Sequence, residues 1–397
     1  MADKGRKYHR PKEGQKHRVD IRRNKQVRTR KQNLTQDLQN DTERAEDAES
    51  SERVAARGDL SRRRTLVGVA VDGDQLIRVV DETGCRRGRV VSFIGLHVMV
   101  RDDDDGREYA CSIRGVLRSM ARDARNVVIT GDRVLFRHEG DAGQGVIERV
   151  ERRHGLLSRG SQGREHIIVA NIDQVLIVGT AADPDFKPQL IDRYLISAER
   201  CGIQPIICIN KIDLVDPRVL LPYVRAYGRA GYSVVLTCTR DGRGIDQLRH
   251  LLVGRQSAVS GQSGVGKSSL LNCVDSGLGL ETADVSDWSR KGTHTTRRAR
   301  LVPLSFGGWV CDTPGIRQFE LWDVSPEEVD GYFIEFRPFL PYCRFPDCTH
   351  THEEHCGVKA AVQQQLIPRS RYDSYLRLRE DDIWVWKNPA RGQEKSG

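Results

Sequence analysis

The order of three short motifs limits how this chain can fold. Asn210-Lys211-Ile212-Asp213 comes first, Gly261-Gln262-Ser263-Gly264-Val265-Gly266-Lys267-Ser268 follows about fifty residues later, and Asp312-Thr313-Pro314-Gly315 comes last. The middle one matches G-x-x-x-x-G-K-S, between a strand-like run at 257–260 and a helix-like run at 268–274. Glycines there let successive backbone N–H groups wrap phosphates, and the helix N-terminus beyond them favours an anion. The first motif stands behind the apolar run 205–209. Its Asp213 can accept from N1–H and the 2-amino group of guanine, which adenine does not offer in that arrangement, and a carboxylate left unpaired there is penalised. Both motifs need the C-terminal edge of a doubly wound parallel sheet, where ligands of such sheets bind. In the usual arrangement the phosphate loop leads and the base reader trails. Here the reader leads, so the sheet is expected to be circularly permuted.

The remaining roles follow from chemistry and position. Lys267 is placed to reach the β- and γ-phosphates and Ser268 to bind Mg²⁺, with Ser269 beside it among the nucleotide contacts. Asp312, after the strand-like run 308–311, would hold the Mg²⁺ through water, and the Gly315 N–H would sense the γ-phosphate. Thr237-Cys238-Thr239 could supply backbone contacts to the base. Between phosphate loop and Asp312 lies Lys291-Gly292-Thr293-His294-Thr295-Thr296, a polar stretch suited to a switch. A threonine hydroxyl there would complete the Mg²⁺ coordination: Thr295, with Thr296 as the alternative. Many nucleotide hydrolases place a glutamine after the D-x-x-G glycine to orient the attacking water. Here that residue is Ile316, which cannot hydrogen-bond water, so His294 is the candidate catalytic residue. Slow intrinsic turnover, raised by a partner, is the expectation.

Near the C-terminus, Cys343, Cys348, His350 and Cys356 are spaced C-x4-C-x-H-x5-C. Three thiolates and an imidazole fit one closed, structural, tetrahedral zinc site, with His352 and His355 as competing fourth ligands. Seven further cysteines stand singly, several inside apolar runs, and read as small buried hydrophobes rather than disulfide partners.

At 397 residues the chain is long enough for two to four domains. No apolar run approaches the length that spans a bilayer, and no apolar stretch follows the basic N-terminus, so a cytoplasmic protein without membrane contact is expected. The net charge of +9 is lopsided: residues 1–31 hold thirteen Lys/Arg against three acids, a net of +10. Residues 1–64 read as a basic, disordered tail without a core, suited to polyanions such as nucleic-acid phosphates. Five short runs rich in β-branched residues (89–93, 97–101, 108–113, 132–136, 145–150) suggest a small all-β barrel at 65–152. The OB type is one candidate, and the spacing also fits an SH3-like barrel. An α/β domain is expected at 153–329, with strand-like runs at 174–178, 205–209, 233–236 and 257–260. A small helical zinc-binding domain at 330–382 and a tail at 383–397 complete the division.

On these residues the chain resembles the RsgA/YjeQ family of small-ribosomal-subunit-dependent GTPases. The likeness is carried by Asn210–Asp213, the phosphate loop through Leu270, the segment Lys291–Thr296, Asp312–Gly315, the zinc cluster and Leu190-Ile191-Asp192-Arg193-Tyr194-Leu195. It implies an OB barrel, a permuted GTPase domain and a zinc domain. It implies action late in small-subunit maturation as a monomer, with rRNA contacts, Mg²⁺ with GTP, and hydrolysis stimulated by that subunit. It also implies the hydrophobic residue at 316, and it points to His294 as the catalytic histidine. Cys238 departs from the small serine usual at its position, and the tail 1–64 is longer than the family leads one to expect. Two other readings compete: a permuted GTPase of the large subunit, and an RNA-binding scaffold with a structural nucleotide. Finally, the motif order puts Asp312–Gly315 about thirty residues ahead of the zinc cluster, so the γ-phosphate sensor is expected to adjoin that module.

Overall fold

The computed structural model describes residues 15–20, 63–71, 75–78, 80–115, 117, 127–140, 143–161, 164–280, 299–312, 324 and 327–387. Three antiparallel strands, β1 (Gln15–Asp20), β2 (Arg63–Val71) and β3 (Gln75–Arg78), form a small sheet in that order. Eight residues of the segment read as a coreless tail, 15–20 and 63–64, are therefore in strands.

The five runs rich in β-branched residues become β4 (Cys85–Ile94), β5 (His97–Asp102), β6 (Glu108–Ile113), β7 (Arg133–Glu139) and β8 (Gln144–Val150). They close in the order β4-β5-β6-β8-β7, with β6 and β8 parallel. A parallel pair inside an otherwise antiparallel five-stranded barrel is the Greek-key closure of the OB type, which spacing alone left open. Val90, Val98, Val100, Cys111, Phe136 and Ile147 fill its interior. Gly88 is required there, since a Cβ would lie 2.7 Å from both Arg101 O and Val100 Cγ1.

A hairpin of β9 (Leu157–Ser161) and β10 (Arg164–Val169) leads into the α/β domain. Its six-stranded sheet contains β11 (Gln174–Thr180), β12 (Gln204–Asn210), β13 (Ser233–Leu236), β14 (Gln256–Ser260), β15 (Arg300–Pro303) and β16 (Trp309–Asp312). The spatial order is β13-β12-β11-β14-β16-β15, parallel except for the edge strand β15. The runs Val175–Val178 and Ile206–Ile209 are buried throughout, as strands covered on both faces must be. One face is covered by α1 (Pro188–Arg200) and α2 (Pro217–Arg229), through Ile191, Tyr194, Leu195, Leu220 and Tyr227. At its other end the same face takes barrel residues Val91 and Met99 against Ala299, Leu301 and Cys311. The opposite face is covered by α3 (Ile245–Leu252) and α4 (Lys267–Val274).

The C-terminal module contains α5 (Val329–Tyr332), α6 (Gly357–Gln363) and α7 (Arg369–Lys387) around Phe333, Phe336 and Tyr375. Its core takes in Ile196 of α1. The joint is a buried charge cluster. Arg371 of α7, its side chain 3% exposed, pairs with Asp192 of α1 and, at 2.5 Å, with Glu335. The rings of Phe333, Tyr227 and Tyr232 surround its guanidinium at 4.5, 5.5 and 5.8 Å. Arg229, the last residue of α2, donates to Gln365 O at 2.7 Å and Leu366 O at 3.3 Å.

Candidate nucleotide site and metal cluster

Parallel pairing of β12, β11 and β14 brings the base reader and the phosphate loop to one sheet edge. Asn210 ends β12 and is 1% exposed. Its Nδ2 donates to Val265 O in the phosphate loop at 2.9 Å, and its Oδ1 accepts from Thr237 Oγ1 at 3.2 Å. Reader and loop, about fifty residues apart in the chain, thus meet directly. Gly266, the N-cap of α4, has φ +87°, and a Cβ on it would lie 2.7 Å from Asn210 Nδ2. Gly261 is as constrained: φ is +146° and a Cβ would sit 2.2 Å from Val178 O. Ser263 and Gly264 are exposed; Gln262, Lys267, Ser268 and Ser269 are half-buried. Lys267 Nζ donates to Gly261 O and Gln262 O, both at 2.7 Å, so it lies over the loop it serves.

Lys211 takes a left-handed conformation, φ +57°, and its Nζ donates to Asp183 O at 2.6 Å. That turn presents Asp213, whose Oδ1 accepts from Cys238 Sγ at 3.3 Å and whose Oδ2 lies 3.3 Å from Arg240 Nη1. Thr237 and Cys238 therefore contribute side chains to the reader, and Thr237 O also accepts from Ile212 N at 3.3 Å. Cys208 Sγ, 3.3 Å from Thr237 Oγ1, extends the network. Cys111, Cys208, Cys238 and Cys311 are buried as expected, whereas Cys85 and Cys201 are half-buried and Cys273 is exposed. Burial pushes the Cys208 thiol up to about 12. Asp312 closes β16, next to β14 and its phosphate loop. His294, Thr295, Thr296, Gly315 and Ile316 lie outside the described residues.

In the C-terminal module, one ligand atom from each of Cys343, Cys348, His350 and Cys356 lies within 4.8 Å of the others. Cys343 Sγ is 4.0 Å from Cys356 Sγ and 3.6 Å from His350 Nδ1, which is 3.3 Å from Cys356 Sγ. Donors about 2.0–2.3 Å from one tetrahedral centre stand roughly 3.3–3.8 Å apart, so the set fits zinc. His350 Nε2 lies 3.3 Å from Asp330 Oδ2, a carboxylate that orients the ring. His352 is exposed and pairs with Thr351 Oγ1 at 3.0 Å, and His355 is exposed too; the cluster includes neither. Burial pushes the Cys348 thiol up to about 12. Sequence reasoning missed Asp330, which lies thirteen residues before the first ligand and carries no motif.

A family model described as RsgA GTPase matches residues 150–322. The small ribosomal subunit biogenesis GTPase RsgA of Gemmatimonas aurantiaca is 43% identical over 282 residues, covering 70% of this chain and 92% of that protein. The protein of the same name from Chlorobaculum tepidum is 41% identical, with 73% and 96% covered. The crystal structure of YjeQ from Thermotoga maritima superposes with a TM-score of 0.64 at 37% identity, covering 75% of this chain and 99% of that one. The chain belongs to the RsgA GTPase family. The structure of YloQ, described as a circularly permuted GTPase, agrees with a TM-score of 0.62 at 27% identity, with 77% and 98% covered. Strands β9 to β16 of this RsgA-family chain all fall inside the family-model match, with the base reader ahead of the phosphate loop. No helix among the described residues is long and apolar enough to cross a membrane.

Proposed function

We propose that this RsgA-family GTPase acts in late maturation of the small ribosomal subunit, as a cytoplasmic monomer that binds rRNA and hydrolyses GTP faster on that subunit. The observation that carries the nucleotide part is the contact of Asn210 with Val265, which joins guanine reader to phosphate loop. The subunit is supported by the curated relatives, which are small ribosomal subunit biogenesis GTPases. Exposed Arg86, Arg87, Arg107, Arg114, Arg133 and Arg137 on the barrel support contact with RNA phosphates.

Asp213 selects guanine, and residues 261–269 hold the phosphates, with Lys267 at the β- and γ-positions. Ser268, Asp312 and a switch threonine, Thr295, would hold Mg²⁺, which neutralises charge on the transferred phosphate. Gly315 senses the γ-phosphate, and His294 orients the water in place of a glutamine. Zinc in the Cys343, Cys348, His350 and Cys356 set is structural, because four protein ligands leave no position for water.

The test compares GTP with ATP hydrolysis, with and without purified small and large subunits. Hydrolysis of GTP alone, raised by small subunits, is expected. Stimulation by large subunits only would overturn the subunit reading. Retention of full stimulated hydrolysis in His294→Ala would remove that histidine from the chemistry.

A further inference from the structure

The barrel does more than cover one face of the sheet. Arg89 of β4 reaches across to the first residues of two neighbouring strands. Its Nη1 donates to Gln256 Oε1 at 2.8 Å, and its guanidinium lies over the Trp309 ring, 5.0 Å from the centroid. Arg101 of β5 lies over the same ring at 5.8 Å. Gln256 and Trp309 are paired in register at the start of β14 and β16. One of these strands runs into the phosphate loop at Gly261 and the other ends at Asp312.

Arg89 is half-buried between barrel and sheet. No carboxylate lies within ion-pair distance of it among the described residues, although Asp103 and Asp173 act on it from further off, and its Nε is buried without a hydrogen-bond partner. A cation in that position is costly unless the contacts it does make repay desolvation. Those contacts are an amide oxygen and an indole face, both on strands of the nucleotide site. The barrel grips the same region a second time. Thr130 Oγ1 donates to Ala299 O at 3.0 Å, next to Arg300, which pairs with Asp312 across β15 and β16.

We infer that Arg89 and Trp309 are positioning residues of the nucleotide site, by which the barrel fixes where β16 delivers Asp312. A hydrogen-bonded strand is stiff along its axis, so displacing Trp309 displaces Asp312, about 10 Å further on, by a similar amount. Ligating groups need placement to within about half an ångström. The inference rests on the reading of Asp312 as a Mg²⁺-holding residue.

The test uses the full chain, a fluorescent GDP derivative and Mg²⁺. The quantity read is the Mg²⁺ concentration that half-maximally slows release of the nucleotide. Arg89→Met and Trp309→Leu are expected to raise it about three- to tenfold, while affinity in EDTA stays at the wild-type value. Trp309→Phe, which keeps a ring under both guanidiniums, is expected to fall closer to wild type. Asp312→Asn is the reference variant. If it shifts the Mg²⁺ dependence while folded Arg89→Met and Trp309→Leu do not, the inference is overturned and the metal reading stands. An unshifted Asp312→Asn overturns both. Should Trp309→Leu fail to fold, the double variant Arg89→Met, Arg101→Met keeps the indole and carries the same test.

Discussion

Gly266 shows how little room the nucleotide site leaves. With φ at +87° and Asn210 Nδ2 2.7 Å from where a Cβ would stand, it is at once a position only glycine takes without strain and a contact surface. Gly266→Ala is expected to cost GDP affinity about tenfold or more, from left-handed strain of roughly 1–2 kcal/mol plus separation of reader from loop. A fluorescence titration with GDP checks it. Glu353 is a second residue with a readable consequence. Burial favours its neutral form, but donors from Thr349 N and Oγ1 at 2.7 Å and Thr351 N at 3.0 Å outweigh that and hold the carboxyl at about 2. The folded value lies below the unfolded one, so this stabilisation is full above the ordinary carboxylate range and is lost as pH falls towards 2. Melting temperature is expected to fall from pH 5 to pH 3 less steeply in Glu353→Gln than in wild type. The motif at 210–213, the glycine-rich loop at 261–268 and the Cys/His cluster at 343–356 were legible as patterns because each is local in the chain. The contact made by Cys238 was not. The closeness of its thiol to Asp213 is created by the pairing of β12 with β13, and a cysteine between two threonines carries no mark of that.

Strands and helices were legible where their pattern was strong, as in β11, β12 and β14. A barrel was legible as well, and the resemblance implied the OB type; spacing alone did not choose that type, since the parallel β6–β8 pair is a fact of topology. The joint between α1 and α7 was not legible. Asp192 stood in a family-like segment without a role, and its partner Arg371 is 179 residues away. That joint holds two acids and one cation. Burial pushes Asp192 up, against the pull of Arg371, and Tyr232 Oη and Glu335 Oε2 are buried without hydrogen-bond partners. Removing the cation leaves two buried carboxyls without a counter-charge, which costs about 3–5 kcal/mol, whereas replacing a whole cluster by apolar side chains is often neutral. Arg371→Met alone is therefore expected to destabilise more than Arg371→Met combined with Asp192→Leu and Glu335→Leu. Urea denaturation of the single and triple variants decides it.

The two flanking bodies hold opposite halves of the α/β domain. The barrel contacts β14, β15 and β16, which carry the phosphate loop and Asp312. The zinc-cluster module is gripped by α1 and α2, on the side of the base reader. Motif order had put the γ-phosphate sensor beside that module along the chain, yet the module's own described contacts run to the other half of the sheet. These contacts reach the body and far end of the helices rather than the reader itself. Chelation of zinc is thus expected to open residues 340–360 to proteolysis while GDP affinity, with Mg²⁺ restored, is unchanged. Loss of GDP binding would show that the cluster supports the reader. The buried arginine also decides how this architecture can be inherited or rebuilt. A C-terminal module carrying Arg371 is not portable by itself, because it needs an acid at 192 and rings at 227 and 232 in its host. Domain exchange between relatives, natural or engineered, has to move α1, α2 and the module as one unit.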